Sequence, residues 1–267
     1  MCGLKKLFFF MIFFTFAGSA LPETNNFHVF TERELPNQIG SFRHVQYSLD
    51  DNIDIFATIF NDKMHAKIFR QPMSNQIESN QLHEIINQGG YIVGINGGFY
   101  TKTFQPAGLF IENGTFVHSI ARSKLLTTCV RINRDNKIYL EKNRENCLDA
   151  NFAMQTGPLI IDQGEISPEV YPQVNKKLKL DSFFSKNRRT ILAETIDHQI
   201  LAIVTTPSTL IQVANVLKNF PESLGVKKIK MALDLDGGSS TGMYVRFNKE
   251  PFYFFEQRHV KTFVFFY

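Results

Sequence analysis

The segment at residues 229–240, with the sequence IKMALDLDGGSS, decides most of what can be predicted about this fold. The short apolar run at 229–235 is typical of a buried strand, and it ends in an Asp-Gly-Gly turn. Residues 91–100, YIVGINGGFY, repeat this arrangement with an Asn-Gly-Gly turn. In both segments we expect a polar side chain at a strand end, beside glycines that allow close backbone approach. The alternative is two ordinary tight turns, in which Asn-Gly and Asp-Gly are common.

The chain around these segments consists mainly of short strand patterns separated by turn residues. Two stretches predict helices, at 76–88 and from Pro207 to Pro221, and residues 164–188 are expected to form a long loop. Because strands and helices do not alternate strictly, we predict an α+β fold with a mixed or antiparallel sheet and a few helices. Hairpins are expected at 42–60, 109–117, 125–141 and 191–205, and further strands at 66–69, 243–247, 252–255 and 260–267.

The first 20 residues have the pattern of a secretory signal peptide. Two lysines precede an apolar run at 7–17, and small residues follow it. A transmembrane anchor is the alternative, but this run is well short of the roughly 20 residues that a span needs. We therefore expect an exported protein, periplasmic or secreted, with a polar leader of little regular structure at 21–40 and a single domain at 41–267.

The composition is that of a globular protein of 267 residues, 43% of them hydrophobic. This apolar content excludes a disordered chain, and 16 Gly with 3 Cys exclude collagen-like and disulfide-dense scaffolds. The net charge of +4 falls to +2 once Lys5 and Lys6 are removed, which is too small to indicate a nucleic-acid partner. Since no second long apolar run follows, no stable membrane span is expected in the mature chain.

Phenylalanine is abundant, with 27 copies, whereas tryptophan is absent. Six phenylalanines lie in the apolar N-terminal run, and six more lie in the last two strand patterns. Those six alternate only partly with polar residues, which predicts a sheet buried on both faces. Because tryptophan is absent, Phe99 and Tyr100 beside the Asn-Gly-Gly turn are the aromatic candidates for contact with a ligand.

Two cysteines remain after the N-terminal segment, Cys129 and Cys147. In an exported protein they are expected to form a disulfide, with two buried free thiols as the alternative. The seven histidines are scattered and show no zinc-binding spacing, so we predict neither a metal site nor a cofactor. A divalent cation near Asp234 and Asp236 would suit the ligand type, but the spacing does not support it.

Asp234 and Asp236 flank one residue at the end of the predicted strand. Residues i and i+2 of a strand point to the same face, roughly 7 Å apart, so the two carboxylates would raise each other's proton affinity. This arrangement suits acid–base chemistry, although one of the pair could instead cap the turn. Arg188 and Arg189 precede another strand pattern, where an arginine could grip an anion or simply lie solvated at a loop end.

Residues 238–242, GSSTG, match the G-x-S-x-G pattern of a nucleophile elbow centred on Ser240. An elbow requires a helix directly after the serine, whereas residues 243–247 have a strand pattern. The short remaining chain also offers only His259 as a downstream histidine. A serine hydrolase is therefore the least favoured of the functions considered.

Five short motifs together resemble the phosphodiester glycosidase family, which includes the lysosomal enzyme that uncovers mannose 6-phosphate. The chain is most similar to the bacterial exported members of that family. The motifs occur in the family's order between about residues 42 and 267. They are INGGFY at 95–100, PAGL at 106–109, QTGPL at 155–159, RT at 189–190 and LDGGSS at 235–240.

The resemblance implies an α+β catalytic domain that hydrolyses a sugar-1-phosphodiester to a free sugar and a phosphate monoester. It implies that Asn96, Gln155, Arg189 and Asp236 line the site. The chemistry of cleavage at an anomeric carbon suits Asp236 as nucleophile or general base and Arg189 as a phosphate clamp, with Asp234 as a second carboxylate whose role stays open. Asn96 and Gln155 would hold sugar hydroxyls. The other predicted substrate-binding residues are Gly97, Gly98, Phe99, Tyr100, Thr156, Gly157, Gly237, Gly238, Ser239 and Ser240. A protein that binds a carbohydrate or phosphoglycan without cleaving it is the competing hypothesis.

Overall fold

The structure, a computed structural model, describes residues 27–48, 51–71, 82–171 and 185–267. The predicted signal peptide, the start of the first predicted helix and most of the predicted loop at 164–188 lie outside the described residues. Within them, two α-helices accompany eighteen strands, and every strand pair is antiparallel. The α+β prediction therefore fits only loosely, because the architecture is dominated by antiparallel sheets.

The largest sheet has eight strands, and it contains the apolar strand that precedes the Asp-Gly-Gly turn. Residues 229–234 form a buried inner strand of this sheet, as the apolar run predicts. Its order is β1 (Phe27–Glu34), β2 (Gly40–Ser48), β3 (Asn52–Phe60), β14 (Ile200–Ser208), β13 (Asn187–Thr195), β15 (Ile229–Asp234), β11 (Leu159–Asp162) and β12 (Glu165–Ile166).

Two five-stranded sheets complete the strand content of the described residues. The first has the order β7 (Thr115–His118), β6 (Phe110–Glu112), β10 (Phe152–Thr156), β8 (Thr128–Ile132) and β9 (Ile138–Glu141). The second, which contains the strand before the Asn-Gly-Gly turn, has the order β17 (Phe252–Phe254), β16 (Met243–Val245), β5 (Val93–Asn96), β18 (Thr262–Phe266) and β4 (Ala66–Arg70).

The four predicted hairpins are confirmed as β2–β3, β6–β7, β8–β9 and β13–β14. Local turn chemistry explains this agreement. In the β6–β7 turn, Asn113 and Gly114 have φ values of 51° and 72°. Asparagine and glycine are the residues that adopt this left-handed conformation most readily, so the sequence specifies the turn directly.

The helices are α1 (Leu82–Gly89) and α2 (Leu210–Asn219). The prediction that α2 begins at Pro207 is wrong, because that proline belongs to the end of β14. It lies beside an irregularity in the β13–β14 pairing, where a missing N–H group is tolerated. Thr209 starts the helix instead, since its hydroxyl accepts a 3.2 Å hydrogen bond from the Gln212 backbone N–H in a capping box.

Three further predictions about local structure are wrong. Residues 27–40 are not an irregular leader, because β1 pairs with β2 along the edge of the largest sheet. Its burial alternates between half-buried and exposed positions, so its polar residues belong to an edge strand. The strand β17 also lies at a sheet edge and is only half-buried, unlike the buried β18. Arg188 and Arg189 lie inside β13 and do not precede it.

The two faces of the eight-stranded sheet are covered by different neighbours. On one face, α2 packs against residues of β3, β13 and β14 in a hydrophobic cluster. On the other, a larger cluster joins this sheet to both five-stranded sheets, with Phe60, Ile95 and Met154 as one representative of each. Among the described residues, no helix is long and apolar enough to cross a membrane. The packing brings the ends of β5, β13 and β15 together, and the predicted site lies there.

Candidate active site

Backbone hydrogen bonds join the two glycine turns directly. The Asp236 backbone N–H, just after β15, donates to the Gly97 carbonyl just after β5, at 3.1 Å. The neighbouring Leu235 N–H donates to the Thr190 carbonyl of β13 at 2.8 Å. The ends of β5, β13 and β15, which belong to two different sheets, therefore meet at one point. Both glycine turns lie at this junction.

Asn96 holds this junction from beneath. Its side-chain amide donates to the Asp236 carbonyl at 2.6 Å, and its side-chain oxygen accepts from the Thr190 hydroxyl at 2.6 Å and the Gly242 N–H at 3.1 Å. The residue is only 1% exposed and does not line the pocket described below. The structure thus places Asn96 as a clamp between strands, where a sugar hydroxyl could reach it only by displacing these bonds.

Gln155 has a similar structural position in β10. Its side-chain oxygen accepts from the N–H groups of Leu109 and Ala121, both at 2.9 Å, and its nitrogen donates to the carbonyls of Ala121 and Leu126. A side chain at Gly108 would come within 2.5 Å of the same oxygen. The motifs at 106–109 and 155–159 therefore pack against each other. Gln155 does not line the pocket described below, whereas the sequence predicted that it would.

Thr156 and Gly157 support the backbone beneath Asp234. The Thr156 hydroxyl and the Gly157 N–H both donate to the Asp234 carbonyl, at 2.6 and 3.1 Å. Gly157 has a φ of 143°, and a Cβ there would lie 2.3 Å from the Leu125 carbonyl oxygen, so only glycine fits. Both residues act on the site through the backbone and do not line the pocket.

Gly97 and Gly98 permit close contact within the protein. A Cβ at Gly97 would come within 2.7 Å of the Thr262 side chain, and one at Gly98 would come within 2.9 Å of the Met154 sulfur. Both glycines are buried beside β18 and β10. Their close approach is therefore made to neighbouring strands, whereas the sequence analysis expected a ligand there.

A pocket of about 380 Å³ opens directly above the junction. This volume lies near the lower end of the range for small-molecule sites. Seven of its nine lining residues were predicted from the sequence, and Asn187 and Arg258 were missed. The lining consists of Phe99, Asn187, Arg189, Asp234, Asp236, Gly237, Gly238, Ser239 and Arg258.

Asp234 is a carboxyl group almost completely withdrawn from water. It is 1% exposed, and its Oδ1 atom is buried without a hydrogen-bond partner in the described structure. Burial raises the pKa of Asp234 to about 7, although the charge of Arg189 opposes this shift. A large fraction of the Asp234 carboxyl is therefore protonated at neutral pH, which gives the pocket a group able to donate a proton.

Arg189 lies behind Asp234 and is itself only 4% exposed. Its Nη1 atom is 3.7 Å from Asp234 Oδ2, while its other nitrogens donate to the carbonyls of Ser208 and Ser185 at 3.2 and 2.8 Å. These bonds fix the guanidinium in the pocket wall. Arg189 thus supplies a positive charge to the pocket, but it has little freedom to follow a moving phosphate.

Asp236 has a different environment from Asp234, at the more open side of the pocket. Arg258 donates to Asp236 Oδ2 at 3.2 Å and to the Ser240 hydroxyl at 2.8 Å. Burial raises the pKa of Asp236, whereas hydrogen bonds from Ser240 and Arg258 oppose the shift. These bonds favour the ionised carboxylate, so the two aspartates have environments suited to opposite roles.

Arg258 is the main residue that the sequence analysis missed. It lies in the loop between β17 and β18, 22 positions after Asp236, and its side chain is 49% exposed. It is not part of any motif. It reaches the pocket because the fold brings the loop between β17 and β18 back to the end of β15. Asn187 was missed for a similar reason, because it carries no pattern of its own beside Arg188.

The neighbouring Arg188 does not face the pocket. It donates to the backbone carbonyls of Thr241 and Phe255, and its guanidinium lies 4.1 Å from the centre of the Phe254 ring. The sequence left two alternatives for these arginines, binding of an anion or a solvated position at a loop end. The structure gives the two residues different positions. Arg188 holds the loop that carries Arg258, whereas Arg189 belongs to the pocket.

The two aromatic candidates lie at different depths. Phe99 lines the pocket, while Tyr100 lies at its edge and donates its hydroxyl to the His259 carbonyl at 3.0 Å. Burial raises the pKa of Tyr100, so this hydroxyl stays protonated as a donor. Arg258 lies 5.4 Å from the centre of the Tyr100 ring and also contacts Asp236, so it links the edge to the pocket.

Ser240 is buried beside Asp236, and its oxygen accepts the bond from Arg258. The next regular element is the strand β16, so the helix that a nucleophile elbow needs does not follow the serine. In the described residues, no group of three or more His, Cys, Asp or Glu side chains is placed to hold a metal ion. A disulfide joins Cys129 and Cys147, which confirms the predicted pairing.

Comparison with known sequences identifies relatives. A family profile described as phosphodiester glycosidase matches residues 89–267. The uncharacterized protein YigE of Escherichia coli K12 is 29% identical over 108 residues, which is 35% of this chain and 40% of that protein. The alignment thus spans well under half of this curated relative.

Solved structures show the same fold at low sequence identity. A hypothetical protein from Synechocystis has a TM-score of 0.66 at 11% identity, covering 88% of this chain and 63% of that one. The catalytic domain of zebrafish N-acetylglucosamine-1-phosphodiester alpha-N-acetylglucosaminidase has a TM-score of 0.59 at 13% identity, covering 90% and 81%. These similarities concern the fold alone.

Proposed function

Because the chain belongs to the phosphodiester glycosidase family, we propose that it hydrolyses a sugar-1-phosphodiester to a free sugar and a phosphate monoester. One observation carries this proposal beyond family membership. Two carboxyl groups in different electrostatic environments line one pocket together with two arginines. Such a set supplies an acid, a base or nucleophile, and positive charge for a phosphate.

In this proposal Asp236 is the ionised carboxylate that acts on the anomeric carbon. It functions either as the nucleophile or as the base that activates water, because cleavage at this carbon develops an oxocarbenium-like charge. Asp234 is the complementary acid, since its pKa of about 7 keeps a proton available at neutral pH. The bond between the anomeric carbon and the phosphate oxygen breaks, and water supplies the hydroxyl group of the free sugar.

Arg258 is better suited than Arg189 to follow the leaving phosphate. Its side chain is half exposed, whereas the Arg189 side chain is almost fully buried and is held by the backbone carbonyls of Ser208 and Ser185. A phosphate monoester has a second pKa near 6, so it departs with less proton assistance than an alcohol. We therefore assign the phosphate contact chiefly to Arg258 and a stationary positive charge to Arg189.

The direct test is the variant Asp236→Asn, assayed on a sugar-1-phosphodiester with product detected by mass spectrometry. We expect activity to fall by about a thousandfold or more with little change in melting temperature, because the amide keeps the shape but loses the charge. Asp197→Asn is the matched control, since Asp197 is an exposed carboxylate paired with Lys227. Full activity in Asp236→Asn would disprove the assignment.

The competing function is binding of a glycan or phosphoglycan without turnover, for which the same pocket would serve. The test above separates the two, because a binding protein retains the intact phosphodiester after long incubation. Saturable binding with no product from any member of a phosphodiester panel would favour this alternative.

We also propose that the protein is exported to the periplasm or secreted. The support is the signal-peptide pattern of residues 1–20, together with a disulfide of the kind that persists in oxidising compartments. Fractionation of expressing cells, with N-terminal sequencing of the recovered protein, tests this. Recovery of uncleaved protein from the cytoplasm alone contradicts it.

A further inference from the structure

We propose that a second binding surface, the rim, extends the pocket and holds the next anionic sugar unit of an oligomeric substrate. The rim consists of Tyr100, Phe104, Arg258 and Lys261. Its link to catalysis rests on the proposed function, whereas its existence as a binding surface is testable separately. Three observations carry the inference: the conformation of Phe104, the continuity of the rim with the pocket, and its charge.

Phe104 is presented to solvent in a conformation that bulky residues rarely adopt. It closes a tight turn in which its N–H donates to the Thr101 carbonyl at 2.9 Å, and the Thr101 N–H donates to the Gln105 carbonyl at 2.8 Å. Its φ is 61°, where glycine or asparagine is usual. The ring is nevertheless 50% exposed, so burial does not offset this strain. Strain of this kind is concentrated at binding sites.

The rim is continuous with the catalytic carboxylates. Arg258 contacts Asp236 at 3.2 Å and lies 5.4 Å from the centre of the Tyr100 ring. The Tyr100 and Phe104 rings are 6.1 Å apart, and Lys261 Nζ is 4.9 Å from the centre of the Phe104 ring. A line of alternating aromatic and cationic groups thus leads outward from the pocket.

This combination of groups indicates the chemistry of the occupant. An aromatic ring offers a flat apolar face to the C–H side of a sugar, while arginine and lysine attract phosphate or carboxylate groups. The pocket volume of about 380 Å³ leaves an attached second unit to lie outside it. We therefore infer a substrate with several sugars joined through phosphodiesters, in which one unit enters the pocket and the next contacts the rim.

The test measures affinity by calorimetry with synthetic probes that contain one, two or three hexose-1-phosphodiester units. The Asp236→Asn background prevents turnover during the measurement. We expect the three-unit probe to bind at least tenfold more tightly than the one-unit probe, and added salt to reduce that gain. Phe104→Asn and Lys261→Gln should each remove most of the gain, and asparagine at position 104 preserves the turn because it accepts a positive φ.

Two matched controls address nonspecific effects. Phe30→Asn removes a similarly exposed ring on β1, the edge strand that is separated from β15 by four strands of the eight-stranded sheet. Lys227→Gln removes an exposed surface lysine. Both should keep the wild-type gain with probe length. Equal affinity for all lengths overturns the rim, as does failure to bind any probe or a gain that survives both rim substitutions. Hydrolysis of the one-unit probe by the wild-type protein judges the proposed function independently.

Discussion

At the scale of single residues, Asp234 and Asp236 show how two identical side chains acquire different chemistry. Asp234 is enclosed, with an unpartnered oxygen and an arginine 3.7 Å away, whereas Asp236 is hydrogen-bonded at the pocket mouth. The sequence places both at the end of one strand, but it does not show which of the two carboxyl groups is more exposed to solvent. Burial is the dominant cause of the raised pKa for both residues, and the hydrogen bonds then separate them.

The raised pKa of Asp234, from 3.8 to about 7, predicts a pH dependence of stability. Between these values the folded protein holds a proton that the unfolded chain releases, so the free energy of unfolding decreases as pH rises through this window. Asp234→Asn mimics the neutral carboxyl and should lack this decrease, gaining a few kcal/mol relative to wild type between about pH 4 and pH 7. Urea unfolding at several pH values measures the difference.

The matched control for this experiment is Asp197→Asn, because Asp197 is exposed and paired with Lys227. It should follow the wild-type profile throughout. Parallel profiles for Asp234→Asn and wild type would show that Asp234 is ionised in the folded protein, and the assignment of Asp234 as the acid would then fail.

At the scale of elements, the site depends on side chains that do not line the pocket. Asn96 clamps the ends of β5, β13 and β15, and Gln155 ties β10 to the loop that contains Ala121 and Leu126. Each uses both ends of its amide, which only asparagine and glutamine provide. Their positions are therefore accounted for by contacts within the protein.

A substitution at Gln155 tests this structural role. In Gln155→Ala the N–H groups of Leu109 and Ala121 lose their shared acceptor in the interior, so we expect the free energy of unfolding to fall by about 3 kcal/mol. The KM of the remaining folded enzyme should stay near the wild-type value. Gln199→Ala, in the β13–β14 turn, is the control. A raised KM with unchanged stability would instead restore the predicted sugar contact.

Features specified by neighbouring residues could be predicted from the sequence, whereas features that depend on contacts between distant positions could not. The Asn113-Gly114 hairpin and the glycine turns after two apolar strands were predictable, because local backbone preferences specify them. The partners of Asn96 were not, since Asp236 lies 140 positions away. Arg258 was missed for the same reason, and β1 was missed because an edge strand needs few apolar residues.

At the scale of the whole molecule, the pocket belongs to two sheets at once. Arg189 and Asp234 come from the eight-stranded sheet, whereas Phe99 and Arg258 come from segments next to β5 and β18 of a five-stranded sheet. The hydrophobic cluster beneath the pocket contains residues from all three sheets. Separating the two halves of the site would therefore expose a large part of this cluster to water.

This shared core predicts that the site and the fold are lost together. Opening the pocket alone would expose buried apolar surface at about 25 cal/mol per Å², so a state with intact sheets and a dissociated site should not accumulate. Urea titrations followed by hydrolytic activity, after correction for direct inhibition, and by far-UV circular dichroism should therefore give the same midpoint within error. The comparison needs a substrate concentration below KM, because bound substrate would stabilise the folded state. If activity disappears at a clearly lower urea concentration than the circular dichroism signal, the two sheets separate before unfolding, and the junction at Asp236 and Gly97 is weaker than its hydrogen bonds indicate.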